Sequence, residues 1–179
     1  MKYLYVLLFA VLFLSTSFAQ KLPPKSPCVT DEIYRQFDFW IGDWEAFNLK
    51  GNKAGDSKIS LILDSCIILE EWTSTPVPGG FIYTGKSFNT YNATTKQWQQ
   101  TWVDNVGGNT QYVQGKYEDK KIIFETNPWQ YSTDTMAISR LTFFNIGKDK
   151  VRQLGQMSKD KGQTWITQFD LEYRRKKNE

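Results

Sequence analysis

From position 43 to the C-terminus the chain alternates short β-type segments with turn-forming residues at near-regular spacing, and few folds accept that pattern. The segments run 43–49, 57–63, 65–74, 81–91, 97–104, 110–114, 121–126, 136–145, 150–157 and 164–173. β-branched and aromatic residues at period two mark them as about ten strands. Between them lie Lys50-Gly51-Asn52, Pro76-Val77-Pro78-Gly79-Gly80, Asn92-Ala93-Thr94, Val106-Gly107-Gly108-Asn109, Asn145-Ile146-Gly147 and Lys159-Asp160-Lys161-Gly162, all compositions that reverse a chain. Such short links join antiparallel neighbours. A flat sheet of that size would leave two long unpaired edges, and closing it on itself removes them. The expected fold is all-β, an antiparallel up-and-down barrel of about ten strands with a short N-terminal helix. A two-sheet sandwich is the alternative.

The helix is expected from a cap at Thr30 or Asp31 to about Phe39, with Asp31 and Glu32 in its first turn and Gly42 ending it. It runs into Phe37-Asp38-Phe39-Trp40-Ile41-Gly42-Asp43-Trp44-Glu45, where four of the first eight residues are aromatic. Burying one large apolar side chain is worth about 1.5–3 kcal/mol, so this stretch must seal a core. Placed before the first strand, it reads as a plug closing one end of the barrel. Trp40 and Trp44 are its anchors and Gly42 its bend. Asp38 and Asp43 then read as structural acids that need partners there.

The first nineteen residues have the layout of a secretory signal: Lys2, an apolar run over 3–14, then Ser15-Thr16-Ser17-Phe18-Ala19. A run of about twelve residues is short of the roughly twenty that span a bilayer, so no membrane span is expected after cleavage. The chain divides into a signal peptide at 1–19, a Pro-rich leader at 20–29 and a single barrel domain at 30–179, exported to the periplasm or beyond. Without Lys2 it carries 21 basic and 19 acidic residues, a net charge of +2. That balance argues against nucleic acid as a partner, and the basic run Arg174-Arg175-Lys176-Lys177 reads as a solvated tail. Export makes a bond between Cys28 and Cys66 the expected state; two unpaired thiols, with Cys66 buried, are the alternative. Oligomeric state is not legible.

Alternation shows which side chains share a face. In segment 97–104, Trp98, Gln100, Trp102 and Asp104 point one way. Segment 81–91 groups Phe81, Tyr83, Gly85, Ser87, Asn89 and Tyr91, and segment 65–74 groups Cys66, Ile68, Glu70 and Trp72. A face that mixes aromatics with amides and acids suits a barrel lumen holding an amphipathic ligand, with apolar walls and a few fixed polar groups. The same mixture would also serve as an outer face of solvated acids and aromatics. Arg140, among Met136, Ile138, Thr142 and Phe144, is the natural counter-ion for Glu70 or Asp104. It could close a structural network or fork onto a ligand carboxylate or phosphate. Arg152 and Gln153 supply one candidate to each face. The ligand-binding set is thus Glu70, Trp72, Tyr83, Asn89, Trp98, Gln100, Trp102, Asp104, Arg140 and Gln153.

Ser158-Lys159-Asp160-Lys161-Gly162-Gln163-Thr164-Trp165 matches the Asp box, a hairpin in which Asp caps backbone amides and Trp packs beneath the turn. The chain has no histidine, which removes the usual general base, haem ligand and zinc ligand together. It carries no phosphate-cradling glycine loop, nucleophile elbow or calcium loop. Neither a cofactor nor a metal is expected.

Phe37-Asp38-Phe39-Trp40-Ile41-Gly42-Asp43-Trp44, Cys66 with Glu70-Glu71-Trp72, Gly85-Lys86-Ser87-Phe88-Asn89 and Trp98-Gln99-Gln100-Thr101-Trp102-Val103-Asp104 together resemble an exported bacterial family of unknown function. The resemblance continues through Val151-Arg152-Gln153 to Tyr173-Arg174. It implies a lipocalin-like or calycin-like barrel, export, and a lumen lined by Glu70, Trp72, Asn89, Gln100, Trp102 and Asp104. It carries no catalytic residues. Some related barrels hold haem through histidine, and this chain departs from them there. Three functions stay open: a non-catalytic binder of a small, partly apolar molecule; an enzyme using Glu70 and Asp104 as acid and base on a sugar or polyketide-like substrate; or a structural or partner-binding module with a filled lumen.

Overall fold

The computed structural model describes residues 25–177. The signal segment therefore lies outside the described residues. Eleven strands follow three short helical pieces: β1 Gly42–Asn48, β2 Lys53–Ile62, β3 Ile67–Ser74, β4 Thr84–Asn92, β5 Gln97–Asp104, β6 Asn109–Glu118, β7 Lys121–Thr126, β8 Trp129–Ser132, β9 Thr135–Gly147, β10 Lys150–Ser158 and β11 Ile166–Arg175. Every pairing is antiparallel, and the β9–β10 and β11–β1 contacts close the sheet into a ten-stranded barrel. β8 is the addition, a short strand hydrogen-bonded to β9 alone. Its four residues are all exposed, and so short a run carries no readable alternation. No described helix is long and apolar enough to cross a membrane.

The single helix expected over 31–39 is instead three pieces. These are α1 Pro27–Thr30 and two 3-10 turns, Glu32–Arg35 and Asp38–Trp40. Asp31 does cap, but it caps the first 3-10 turn, accepting from the Ile33 N–H at 3.0 Å. Cys28 and Cys66 are bonded, with their Cα atoms 4.9 Å apart, and tie α1 to the β2–β3 turn. Closing a loop across 38 positions is worth about 4 kcal/mol in the chain-entropy account.

Phe37, Trp40 and Trp44 are fully buried, and all three belong to the barrel core. Phe37 stacks on Trp40 at 5.1 Å, and the Trp40 ring lies 4.4 Å from Phe143 and 6.1 Å from Tyr173. Phe37 also meets Trp98 and Phe124. The Trp44 indole N–H donates to the Trp40 carbonyl at 2.8 Å, which fixes the bend at Gly42. One end of the barrel is plugged by aromatic contacts with strands β5, β7, β9 and β11. The acids of this stretch do not share the core. Asp43 is exposed, and Asp38 sits half-buried 3.5 Å from Arg35, its carboxyl raised by burial against the pull of that guanidinium.

Truncating Trp40 should therefore cost what a deep aromatic costs. Trp40→Ala is expected to lower unfolding free energy by about 3–5 kcal/mol. Lys116→Ala, on the outer surface, should change it by less than about 0.5 kcal/mol. Urea denaturation of the oxidised protein measures both.

Candidate functional site

Above the plug, the barrel register stacks inward-facing residues in rows. The lowest row pairs Tyr91 with Trp98 and Trp98 with Gly115. The next carries Ile68, Asn89, Gln100 and Tyr112 on β3, β4, β5 and β6, and the one above it Glu70, Ser87, Trp102 and Thr110. Trp72, Gly85 and Asp104 form the row nearest the open end. The mixed faces read from alternation are therefore the inner faces. From the polar rows upward the lumen is open, a cavity of about 490 Å³.

Its walls are Trp72, Tyr83, Trp102, Tyr112, Leu141, Leu171 and Phe169, with Val77 from the β3–β4 loop at the rim. Glycine makes room for the two indoles. A Cβ at Gly85 would stand 2.2 Å from Trp102 Cζ2, and one at Gly55 would stand 2.7 Å from Trp72 Cζ2. Both rings thus lie against bare backbone and leave the lumen clear.

The base of the cavity is a connected polar network. Gln100 donates to Asn89 Oδ1 at 2.7 Å, and Asn89 donates to Ser87 Oγ at 3.0 Å and to the Ile68 carbonyl. Ser87 donates to Glu70 Oε2 at 2.9 Å, and Ser57 donates to Glu70 Oε1 at 3.0 Å. The Tyr173 hydroxyl lies 2.7 Å from Gln153 Oε1 and 3.5 Å from Glu70 Oε1 and can donate to either. Glu70 is 2 % exposed. Burial pushes its carboxyl up to about 7, against the downward pull of the three hydroxyls. No cation faces it. Burial likewise raises Tyr173 well above its ordinary value, with Glu70 adding to the shift.

Asp104 behaves differently. Its Oδ1 accepts from the Val106 and Gly108 amides at 3.1 and 2.7 Å, and its Oδ2 accepts from the Tyr83 hydroxyl at 2.8 Å and the Trp102 indole at 3.2 Å. The Trp102 N–H is shared with the Tyr83 hydroxyl at 3.1 Å, so three of these donors are wholly committed to the carboxylate. Hydrogen bonding, led by Tyr83, holds Asp104 below its ordinary value, while burial and this bond push Tyr83 up to about 12.

Of the sequence-derived set, Glu70, Trp72, Tyr83, Gln100, Trp102, Asp104 and Gln153 line the cavity. Asn89 lies one layer below, and Trp98 is packed into the plug, its indole N–H held by Gln36 at 3.0 Å. Arg140 is on the other side of the wall. It pairs with Glu125 at 2.7 Å and lies 3.7 Å over the Trp165 ring, so it is no counter-ion for Glu70 or Asp104. Strand parity explains the correction, because Leu141 and Phe143 are the inward residues of β9. Arg152 is also outside, forked onto Asp170 at 2.8 and 2.6 Å. Phe81 precedes β4 and is 45 % exposed rather than sharing the inner face. Sequence reasoning missed Tyr112, Leu141, Phe169, Leu171 and Tyr173. The alternation Phe169, Leu171, Tyr173 against Gln168, Asp170, Glu172 carried the signal for β11.

The Asp box forms the β10–β11 hairpin. Asp160 accepts from the Thr164 amide and hydroxyl at 2.8 and 2.6 Å and from Ser158 at 2.7 Å, which holds its carboxyl down to about 2. The Trp165 indole donates to the Gly162 carbonyl. This is a turn device outside the lumen. No protein-family model matches the chain, and no curated protein matches it.

Glu70 makes stability depend on pH with a definite sign. In the unfolded chain it ionises near 4.5, and in the folded chain near 7. Between these values the native state holds the extra proton, so stability falls as pH rises, by a total of about 3 kcal/mol. Glu70→Gln removes the titration and keeps the shape of the group, accepting from one serine hydroxyl and donating to the other. It should match the parent near pH 4 and exceed it by up to about 3 kcal/mol at pH 8. Urea denaturation at both pH values reads the difference; equal losses at both would refute this account.

Proposed function

We propose that this chain is an exported, non-catalytic binding protein that holds a small, partly apolar molecule in its barrel lumen, and that it belongs to the exported family its signature stretch resembles. The observation that carries the reading is the cavity of about 490 Å³ with aromatic walls and a polar base. That volume falls within the roughly 300–1,000 Å³ of ordinary ligand sites, and it weighs against a module with a filled lumen. The bonded Cys28 and Cys66 support export, since such bonds persist in oxidising compartments. The site residues of this reading are Glu70, Trp72, Tyr83, Gln100, Trp102, Asp104 and Gln153, with Tyr112, Tyr173, Phe169, Leu141 and Leu171 completing the wall. The commitment of both Asp104 oxygens to structural donors weighs against a Glu70 and Asp104 acid–base pair, because a general base must be placed to take a proton from the substrate.

Native mass spectrometry of protein purified from its own host should show an added small-molecule mass that leaves on denaturation. Gly85→Val drives the Trp102 indole into the lumen, so this variant should lose the added mass while remaining folded by circular dichroism. Protein that carries no such mass, or a Gly85→Val variant that keeps it, would count against lumen binding.

A further inference from the structure

Glu70 is the unusual group of this lumen. A buried carboxylate is ordinarily matched by a cation, yet the charge-assisted partners of this barrel all lie elsewhere. Arg140 holds Glu125 and Arg152 holds Asp170, both on the outer wall. Among the described residues lining the cavity none is lysine or arginine, and the two charged ones are both acids, Glu70 at the base and Asp104 near the mouth. Asp104 is tied to the Tyr83 hydroxyl and the Val106 and Gly108 amides, whereas Glu70 accepts from two serine hydroxyls and lines the cavity. Around it stand Trp72, Tyr173 and Trp102, with Trp72 and Tyr173 centred 6.3 Å apart.

We infer that the lumen is a cation pocket, taking an organic ammonium carried on an apolar body, with the positive head against Glu70 and the rings of Trp72, Trp102 and Tyr173. This rests on the lumen-binding reading and names its ligand class. Aromatic rings beside a carboxylate attract an ammonium through their quadrupoles and its charge together. The apolar upper wall of Leu141, Leu171 and Phe169 takes the rest of the molecule. A ligand carboxylate or phosphate would instead meet two acids and no cation. Asp104, ionised at the rim, draws cations toward a mouth on a protein that is itself net positive.

The pH response separates a cation from a neutral hydrogen-bond acceptor. An ammonium needs Glu70 ionised, so its affinity rises with pH; an acceptor needs Glu70 protonated, so its affinity falls. The other groups facing Glu70 are Ser57 from β2 and Ser87 from β4, which do not titrate, and Tyr173 from β11. Tyr173 and, across the lumen, Tyr83 are both raised and neutral in this range. Asp104 stays ionised throughout it.

Titration calorimetry of the oxidised protein with octyltrimethylammonium, 1-octanol and octanoate at pH 6 and pH 8 tests this. The ammonium should bind at least about tenfold tighter than either partner at pH 8, and should tighten by up to about tenfold from pH 6 to pH 8. Glu70→Gln should abolish both the preference and the pH response. Should that variant not fold, the pH series on the unaltered chain decides alone. Octanol or octanoate binding as tightly as the ammonium would overturn the cation assignment and leave the binding barrel standing. Failure of all three to bind would overturn both.

Discussion

The contact between the 37–44 segment and the barrel interior is the constraint on which the rest depends. Eight strands enclose a space that their own side chains fill, and lumen width grows with strand number. With ten strands, inward residues alone leave the middle unfilled. Phe37, Trp40 and Trp44 supply the missing volume at one end only, stacking on Phe143, Phe124, Trp98 and Tyr173. The barrel thereby becomes a one-ended cup, and its depth is set by how far the aromatic plug reaches. The disulfide from Cys28 to Cys66 anchors the same end, so the plug and the β2–β3 turn are held together from outside as well as from within.

Directly above the plug the inner wall changes from aromatic to polar, and the sequence of hydrogen bonds explains how the change is tolerated. Gln100, Asn89, Ser87, Glu70, Tyr173 and Gln153 pass donors and acceptors from one to the next. Amides and hydroxyls in such a chain lose little on burial, because each finds a partner. Glu70 is the exception, since hydroxyl donors only partly replace the water a carboxylate gives up. A glutamine could hold the same place without that penalty, accepting from one serine and donating to the other. An acid buried this deeply, with no cation beside it among the described residues, has the perturbed environment typical of groups that meet a ligand.

The ten barrel strands and their alternation were legible because short turns and period-two patterns are local signals. Strand β7 was placed at its observed ends, and β5 likewise. What alternation cannot supply is which parity faces inward when both faces mix polar and apolar residues. On β3, β4 and β5 the aromatic and amide mixture pointed the right way, whereas on β9 Arg140 was grouped with the inward set although Leu141 and Phe143 hold that place. An arginine beside two unpaired acids is a tempting partner in sequence; Glu125 and Trp165 claim it from the outside through contacts that only the closed sheet creates. The three-piece N-terminal segment was hidden for a related reason. Its pieces seat Phe37 and Trp40 in the barrel core, a tertiary setting that overrides local helix signals.

The two ends of the cup are rigid by different means, and this bears on how it recognises anything. At the closed end aromatic packing and a covalent bond fix the wall. At the open end two aspartates do so, Asp104 gathering the Val106 and Gly108 amides and Asp160 gathering the Thr164 amide. The β3–β4 loop closes on itself through the Val77 amide to the Phe81 carbonyl at 2.9 Å and is tied to the wall where Ser74 accepts from the Tyr83 amide at 3.0 Å. A mouth whose turns are bonded internally loses little freedom when a ligand arrives, so more of the contact energy of the aromatic wall remains as affinity. Val77 and Phe169, 39 % and 41 % exposed on that mouth, present apolar surface to water while the anion sits below them. The apolar rim leads past Asp104 to the polar base at Glu70, and an amphipathic molecule of the proposed class would enter such a cup with its charged head first.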